Sequence, residues 1–222
     1  MPIIQPVRGT RDFYPEDMAF RQWLNNQIRE ASTQFGYQEF DGPFLERLEL
    51  YAAKSGDELV KEQSYVFSDR SGSMIALRPE LTPSLARMVA QRGKGLALPL
   101  RWWSFGPFWR YERKQKGRSR EFFQWNIDII GVDDVLADAE VIFTTVDYLR
   151  EIGLTSKDIK VKISSRELLA DYLRSLGIPE DKLESIYIVL DKKNKLPPET
   201  FEQMLEEQVP DKNTVNKIID FM

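Results

Sequence analysis

The chain has 222 residues, of which 42% are hydrophobic and 30% charged, and its formal net charge is −4; this composition is typical of a globular protein rather than a disordered one. Cysteine and histidine are absent, which excludes disulfides, thiolate zinc sites, cysteine nucleophiles, imidazole metal ligands and serine–histidine–aspartate catalysis. No apolar run approaches the roughly 20 residues that span a bilayer, and Met1 to Arg8 lack the features of a signal peptide, so a cytoplasmic protein is expected.

Charge is distributed unevenly along the chain. Residues 1–132 hold 19 Lys and Arg against 16 Asp and Glu, a net of +3, whereas residues 133–222 hold 12 against 19, a net of −7. A polyanion would therefore bind the N-terminal part. Mixed charge of this size also occurs on ordinary protein surfaces, so charge alone leaves both interpretations open.

The first half of the chain predicts a helix followed by short strands. Pro15, followed by two acidic residues, favours a helix start, and apolar residues recur at helical spacing until Gly36 ends the helix. A short strand is predicted at 37–40, and two more at 64–70 and 74–78 around a Ser-Gly-Ser turn. Thr82 before Pro83 is typical of a helix cap.

The second half predicts two longer strands and then mainly helices. The strands cover roughly 101–112 and 122–130, and a helix runs from Asp138 to about Glu151. A strand near 159–163, a helix from Ser165 to Leu176 and three more helical stretches follow. The change near 152–158 from aromatic strands to charged helices suggests a boundary.

Strand alternation gives the hairpin 108–131 two different faces. Phe108, Arg110 and Glu112 share one face of the first strand, and Phe122, Gln124, Asn126 and Asp128 share one face of the second; the opposite faces are apolar and belong to a core. The connecting segment 113–121 has five basic residues and one acid. Its positive charges repel one another unless an anion is bound. The polar face predicts a site where a ring stacks on a base and Arg110 holds a phosphate, in preference to a plain solvated sheet.

Several segments resemble class II aminoacyl-tRNA synthetases, in particular those specific for histidine. FWRYE at 108–112, the basic loop and GRSREFFQWNIDIIG at 117–131 resemble motif 2 of that class, and the helix before Gly36, with Tyr37 and Pro43, resembles motif 1, the dimer interface. RGTRDFYP at 8–15 resembles the histidyl enzymes' opening, and LRPELTP at 77–83 their amino-acid-binding segment. ADAEV at 137–141 and DKKNKL at 191–196 also fit, so the resemblance covers essentially the whole chain.

The resemblance implies an α+β fold, a class II antiparallel sheet flanked by helices. Residues 1–152 would form the catalytic core with motifs 1 and 2, and residues 153–222 its continuation and the start of a helical insertion. The sequence shows no match to motif 3, to the later histidine-specific segment or to the anticodon-binding domain. An N-terminal fragment with weak or absent activity by itself is therefore expected.

The resemblance also implies a reaction, substrates and residue roles. Histidine would be condensed with ATP to histidyl-adenylate and then transferred to the acceptor stem of tRNA(His), by a homodimer formed through motif 1. Arg110 would neutralise the α-phosphate, Glu112 would position the adenine end, Phe122 would stack on the base, and Arg118 would reach the outer phosphates, which Mg²⁺ would bridge. No residue is predicted as a metal ligand. The histidine set comprises Glu80, Thr82 and Gln124 around the ammonium, Leu81 in the same segment, and Asp128 accepting from the imidazole. Many bacterial members carry glutamate at the position of Asp128, so aspartate is interpreted as a subgroup trait.

Other interpretations stay open for some of these residues. Thr82 can also be a helix cap and Glu80 a plain surface acid. Three residues of the basic segment, Gln115, Lys116 and Arg120, can contact the acceptor end or remain solvated. The adjacent Trp102 and Trp103 are interpreted as core or dimer interface.

Two other function classes compete with the ligase. A non-catalytic paralogue, such as the regulatory subunit of ATP phosphoribosyltransferase in histidine biosynthesis, would keep the fold and sense histidine. The retained ATP set, Arg110 with Glu112 and Arg118, favours the ligase because a sensor does not need it. A general nucleic-acid-binding module is weakly supported, since the basic surplus is small.

Overall fold

The computed structural model describes residues 3–52, 63–113, 116–193 and 195–222. These residues divide into two compact units, Met1–Ile159 and Lys160–Met222, which are described separately. Gln115, for which the sequence left open an acceptor-end contact or a solvated side chain, lies outside the described residues.

The first unit contains two small sheets and three longer helices. Its elements in chain order are α1 (Pro15–Gln34), β1 (Gln38–Glu39), β2 (Leu45–Arg47), α2 (Leu48–Ala52), β3 (Val66–Ser68), β4 (Met74–Leu77), α3 (Thr82–Arg92), a 3-10 turn (Gly93–Gly95), β5 (Leu100–Trp109), β6 (Glu121–Ile130) and α4 (Val135–Glu151). One sheet has the order β1-β5-β6 and the other β2-β4-β3. All pairs are antiparallel except β1 with β5, which is parallel.

The hairpin β5–β6 is the central element of this unit. Ten residue pairs join the strands, from Leu100 opposite Ile130 to Trp109 opposite Glu121. Since opposed residues of antiparallel strands share a face, this register confirms the two predicted faces. The apolar face packs against α1 and α4 through a core whose buried members are Ile28, Ala31, Tyr37, Trp103 and Tyr148. Trp103 is thus a core residue as predicted, and Trp102, on the other face, packs beside Phe40 with ring centroids 5.4 Å apart.

Helix α1 confirms the prediction, but its apolar stripe is only partly buried. Proline occupies the first helical turn, with Glu16 and Asp17 beside it, where acidic side chains favour the helix dipole. Ile28 and Ala31 face the core, whereas Phe20 and Trp23 are 62% and 45% exposed and stack on each other. Part of the stripe therefore forms an apolar surface patch.

Two boundaries of the first unit differ from the sequence prediction. Helix α4 begins at Val135 rather than Asp138, because the Asp134 carboxylate accepts from the Leu136 amide and caps the helix there. Helix α3 begins at Thr82 itself, and the residue at its cap position is Leu81, without a side-chain cap hydrogen bond. The interpretation of Thr82 as a helix cap is therefore wrong.

The second unit is helical. It contains α5 (Arg166–Ser175), α6 (Glu180–Leu190), α7 (Pro198–Gln208) and α8 (Lys212–Phe221), which confirms the predicted helices. Their shared core includes Leu173, Ile186, Leu205 and Ile218, all fully buried. The predicted strand near 159–163 is wrong. This segment pairs with no strand in the described residues, and without a partner its apolar side chains remain exposed, Ile163 at 77%.

Candidate functional site

Four predicted residues surround one cavity at the loop end of the β5–β6 hairpin. The cavity has a volume of about 300 Å³, and its lining consists of Arg110, Glu112, Gly117, Arg118, Ser119, Phe122 and Phe123. The four predicted ATP-binding side chains are all in this set. The hairpin brings them together because β6 begins directly across from the end of β5.

The Arg110 guanidinium is held in place from two sides. Its Nε donates to the backbone oxygen of Pro79 at 3.0 Å, and its Cζ lies 5.2 Å from the centre of the Phe122 ring. Phe122 in turn stacks against Phe108, with centroids 6.1 Å apart and ring planes 30° apart. A planar cation and an aromatic ring are thus presented together to the cavity, an arrangement suited to a phosphate and a flat base.

Glu112 links the two arginines of the cavity. Its Oε2 accepts from Arg118 Nη1 at 3.2 Å, and its Oε1 lies 4.0 Å from Arg110 Nη1. The Arg118 side chain is 65% exposed, compared with 19% for Glu112. An ion pair this exposed contributes only about 0–1 kcal/mol, so a bound anion can displace Glu112 from Arg118 at little cost.

Strand β5 ends three residues before the predicted boundary at 112. The Trp109 amide donates to the backbone oxygen of Arg78 at 3.1 Å, and the Tyr111 amide donates to Gln63 at 2.7 Å. Pairing with β6 continues alongside these hydrogen bonds, because Trp109 lies opposite Glu121 and the Arg110 amide donates to the Arg120 backbone oxygen at 2.9 Å. Arg110 and Glu112 still reach the Phe122 side of the hairpin, as their positions around the cavity show.

A second cavity adjoins the first and includes the N-terminal segment. It has a volume of about 600 Å³, shares Gly117 to Ser119, Phe122 and Phe123 with the first cavity, and adds Gly9, Thr10, Arg11 and Lys116. The Gly9 oxygen accepts from the amides of Arg120 and Glu121 at 2.9 and 3.1 Å. Residues 9–11 are functional candidates without a sequence-assigned role, although the RGTRDFYP resemblance marked the segment.

Arg120 has a structural contact that neither sequence interpretation described. Its Cζ lies 4.1 Å from the centre of the Tyr111 ring, and its Nε donates to the backbone oxygen of Glu112 at 3.4 Å. Its side chain also lies against Gly9. Arg120 is therefore half-buried in the loop that it stabilises, while Lys116 is exposed.

Gln124 and Asp128 lie on the same hairpin face as Phe122, opposite Gly106 and Trp102 respectively. Burial raises the pKa of Asp128 above its ordinary value. The Gln124 Oε1 atom is buried and, like Nδ2 of the intervening Asn126, has no hydrogen-bond partner among the described residues. Buried polar atoms are normally satisfied, so this face holds hydrogen-bonding capacity that the described chain does not use.

The predicted residues Glu80 and Leu81 lie in the turn between β4 and α3, and Thr82 is the first residue of α3; all three are outside the linings of the two cavities. Glu80 is half-buried and Thr82 exposed, whereas Leu81 is only 2% exposed. The turn is nevertheless connected to the Arg110 cavity by a hydrogen bond, because the backbone oxygen of the preceding residue, Pro79, accepts from Arg110 Nε.

Comparison with known proteins decides the family. The profile of the family described as histidyl-tRNA synthetase matches residues 9–218. The chain belongs to the histidyl-tRNA synthetase family. A histidine–tRNA ligase named as chloroplastic/mitochondrial, from Arabidopsis thaliana, is 49% identical over 194 residues, which are 87% of this chain and 40% of that protein. A histidine–tRNA ligase from Leptospira biflexa is 40% identical over 217 residues, 97% of this chain and 50% of that protein.

The fold agrees with that of this family. The crystal structure of histidyl-tRNA synthetase from Nostoc sp. PCC 7120 superposes with a TM-score of 0.82 at 23% sequence identity, covering all of this chain and 48% of that one. The chain thus spans about half the length of the curated relatives that it matches. In the described ranges, no helix is long and apolar enough to cross a membrane.

Proposed function

We propose that this chain carries the ATP- and histidine-binding part of a histidine–tRNA ligase, which condenses histidine with ATP and transfers it to tRNA(His). The observation that carries the proposal is the cavity shared by Arg110, Glu112, Arg118 and Phe122. Its two arginines and aromatic ring suit a purine nucleotide with phosphates, and its position on the hairpin is adjacent to the polar face of Gln124 and Asp128.

In the proposed ATP site, each side chain has a distinct task. Arg110 neutralises the α-phosphate as the carboxylate oxygen of histidine attacks, a role suited to a guanidinium fixed in advance. Phe122 stacks on the adenine, and Glu112 accepts hydrogen bonds from the adenine end. Arg118 exchanges Glu112 for the outer phosphates, which its exposed ion pair permits.

The proposed ATP site implies a magnesium ion associated with the triphosphate. A bound Mg²⁺, a hard cation that prefers oxygen ligands, would supply positive charge that offsets the repulsion between the phosphates. Glu112 is the single carboxylate in the cavity lining, and the described residues contain no group of three or more acidic side chains that could hold a metal ion. The residues around the cavity therefore fit the phosphates directly, and the ion would depend mainly on phosphate and water ligands.

The proposed histidine site uses the polar hairpin face and the turn before α3. Gln124, Glu80 and Thr82 hold the ammonium group, Leu81 lies in the same segment, and Asp128 accepts a hydrogen bond from the imidazole. Asp128 is half-buried, and this burial raises the pKa of its carboxyl group; in such a site, pairing with a polar group discriminates strongly between substrates.

The remaining proposals concern partners, compartment and domains. The exposed Phe20–Trp23 patch on α1 supports a homodimer through motif 1, and the exposed Lys116 supports contact with the tRNA acceptor stem. We place residues 1–152 in the catalytic core and residues 153–222 in its continuation and a helical insertion. The cytoplasm is the proposed compartment, to be checked with a fluorescent fusion.

Calorimetric ATP binding tests the proposal. We expect the chain to bind Mg·ATP and Arg110→Ala to weaken binding by about 10- to 150-fold, which corresponds to the loss of a hydrogen bond to a charged group. Arg29→Ala, which removes an equally charged but exposed arginine of α1, serves as the control and should bind as the wild type. Absence of ATP binding, with histidine binding retained, would instead support a histidine-sensing regulatory subunit.

A further inference from the structure

Arg78 is a fully buried arginine outside the predicted set of site residues. Its guanidinium lies between two aromatic rings, with Cζ 4.5 Å from the centre of Phe44 and 4.6 Å from that of Phe108. Burying a charge costs several kcal/mol unless it is well paired. The position of Arg78 therefore requires a physical reason.

The side chain of Arg78 connects three separate parts of the first unit. Its Nε donates to the Pro107 oxygen of β5 at 3.0 Å, and its Nη1 donates to the Gly42 oxygen at 2.9 Å and to the carboxylate of Asp41. The Asp41 side chain is itself half exposed. Nη2 has no hydrogen-bond partner among the described residues. The guanidinium therefore ties the backbone at Pro107 and Gly42 together, although one of its donors is unsatisfied.

The backbone of Arg78 is fixed to the same strand. The Trp109 amide donates to the Arg78 oxygen at 3.1 Å, so β5 is held at Pro107 by the side chain and at Trp109 by the main chain. Gly106 makes this approach possible, since a Cβ atom there would lie 2.5 Å from Nη2 of Arg78. This explains a glycine within a ten-residue strand, where its flexibility is otherwise unfavourable.

The residue after Arg78 supplies the acceptor for Arg110. Pro79 has no amide hydrogen and a fixed φ, and its oxygen accepts from Arg110 Nε at 3.0 Å. Fixing Arg78 to Pro107 and Trp109 therefore fixes the Pro79 oxygen, which in turn sets the direction of the Arg110 guanidinium.

We propose that Arg78 is a positioning residue that orients Arg110 through the Pro79 oxygen and fixes the Pro79–Thr82 segment against strand β5. The expected effect of Arg78 on ATP affinity rests on the function proposed above, whereas its effect on the orientation of Arg110 does not. Lysine cannot replace it, because one ammonium group lacks the planar fork that spans Pro107 and Gly42 and stacks between two rings.

NMR of arginine Nε–H groups in the 222-residue chain tests the orientation of Arg110 without any ligand. The Arg110 signal is assigned by its disappearance in Arg110→Lys. We expect slow exchange of this hydrogen with water in the wild type and exchange about tenfold faster in Arg78→Lys, the factor associated with one hydrogen bond of a charged group. Arg101→Lys is the control, because Arg101 binds Glu140 on the other face of the same strand.

A double-mutant cycle for Mg·ATP affinity adds the functional readout. Arg78→Lys should weaken binding about tenfold in the wild-type background and by less than about twofold when Arg110 is already alanine, since coupled residues are not additive. Gly106→Ala, which displaces Arg78 without changing it, should reproduce both effects.

Two results would overturn the proposal. One is fast exchange of Arg110 Nε–H in the wild type, which needs no variant to fold. The other is unchanged exchange in a folded Arg78→Lys or Gly106→Ala protein. A wild-type chain that fails to bind ATP but shows the expected exchange would contradict the proposed function and leave the role of Arg78 intact.

Discussion

Replacing Gly9 with alanine should disrupt the contact between the N-terminal segment and the start of β6. Gly9 has φ +92°, and a Cβ atom there would lie 2.7 Å from Cγ of Arg120 and 2.9 Å from its Cβ and Cδ. Rotation of the side chain can move Cγ and Cδ, but Cβ is fixed to the Arg120 backbone, so the overlap at 2.9 Å remains unless the backbone shifts. The Arg120 amide also donates to the Gly9 oxygen, so relieving the overlap requires breaking that hydrogen bond.

Gly153 provides a control that separates the conformational penalty of an alanine at positive φ from the cost of the steric overlap. It has φ +96°, nearly the same backbone conformation, but no atom lies within 4 Å of the position that a Cβ would take. Gly153→Ala should therefore cost only the conformational penalty, about 1–2 kcal/mol. Gly9→Ala should cost about 1–3 kcal/mol more, the usual range for steric overpacking.

Thermal unfolding of the two variants measures this difference, because both glycines belong to the unit Met1–Ile159. Each kcal/mol should lower the Tm by about 2–4 °C for a unit of this size. Gly9→Ala should also weaken ATP binding, since Gly9 and Phe122 line the same cavity. Equal unfolding temperatures for the two variants, with unchanged ATP affinity in Gly9→Ala, would refute the reasoning.

Further predictions concern the base site, the buried carboxyl group and the helical unit. Phe122→Ala should raise the Kd for ATP by about 5- to 150-fold, the effect of losing a base-stacking ring, while Phe143→Ala, an exposed ring on α4, should not; calorimetry decides. Burial raises the folded-state pKa of Asp128, so its ionisation lowers stability as pH rises through that pKa. Denaturant unfolding should therefore show Asp128→Asn to be more stable than the wild type at neutral pH, with the gain absent below the unfolded-state pKa of about 3.9. Leu173→Ala should destabilise the second unit by about 2–5 kcal/mol, whereas Leu168→Ala, on the exposed side of the same helix, should change its unfolding free energy by less than about 0.5 kcal/mol.

The elements that follow from local signals were predictable. The proline and acidic residues of α1 specify its start, and Gly36, with φ +75°, follows its end. The alternation in 122–130 predicted correctly which side chains pack against α1 and α4, because a strand with one buried face has a fixed register. The cavity residues Arg110, Glu112, Arg118 and Phe122 followed from the same alternation together with the family resemblance.

The parts that depend on long-range contacts were not predictable from local pattern. At the end of β5, the amides of Trp109 and Tyr111 donate to the backbone oxygens of Arg78 and Gln63, residues 31 and 48 positions away along the sequence. Residues 159–163 have a strand-like composition but pair with no strand in the described chain. Arg78 reads as a surface residue because arginine is rarely fully buried, and only the rings and carbonyls around it reveal its position.

The two arginines of the cavity are prepared for different tasks. Arg110 is fixed by a carbonyl oxygen that is itself held on β5, and its side chain is 28% exposed. A cation fixed before the reaction stabilises charge that develops in the transition state without paying for reorganisation. Arg118 is 65% exposed and bound only to Glu112, so it can move to an arriving phosphate. Loss of Arg110 should therefore reduce the rate of adenylate formation more than loss of Arg118, which should act mainly on the affinity for ATP.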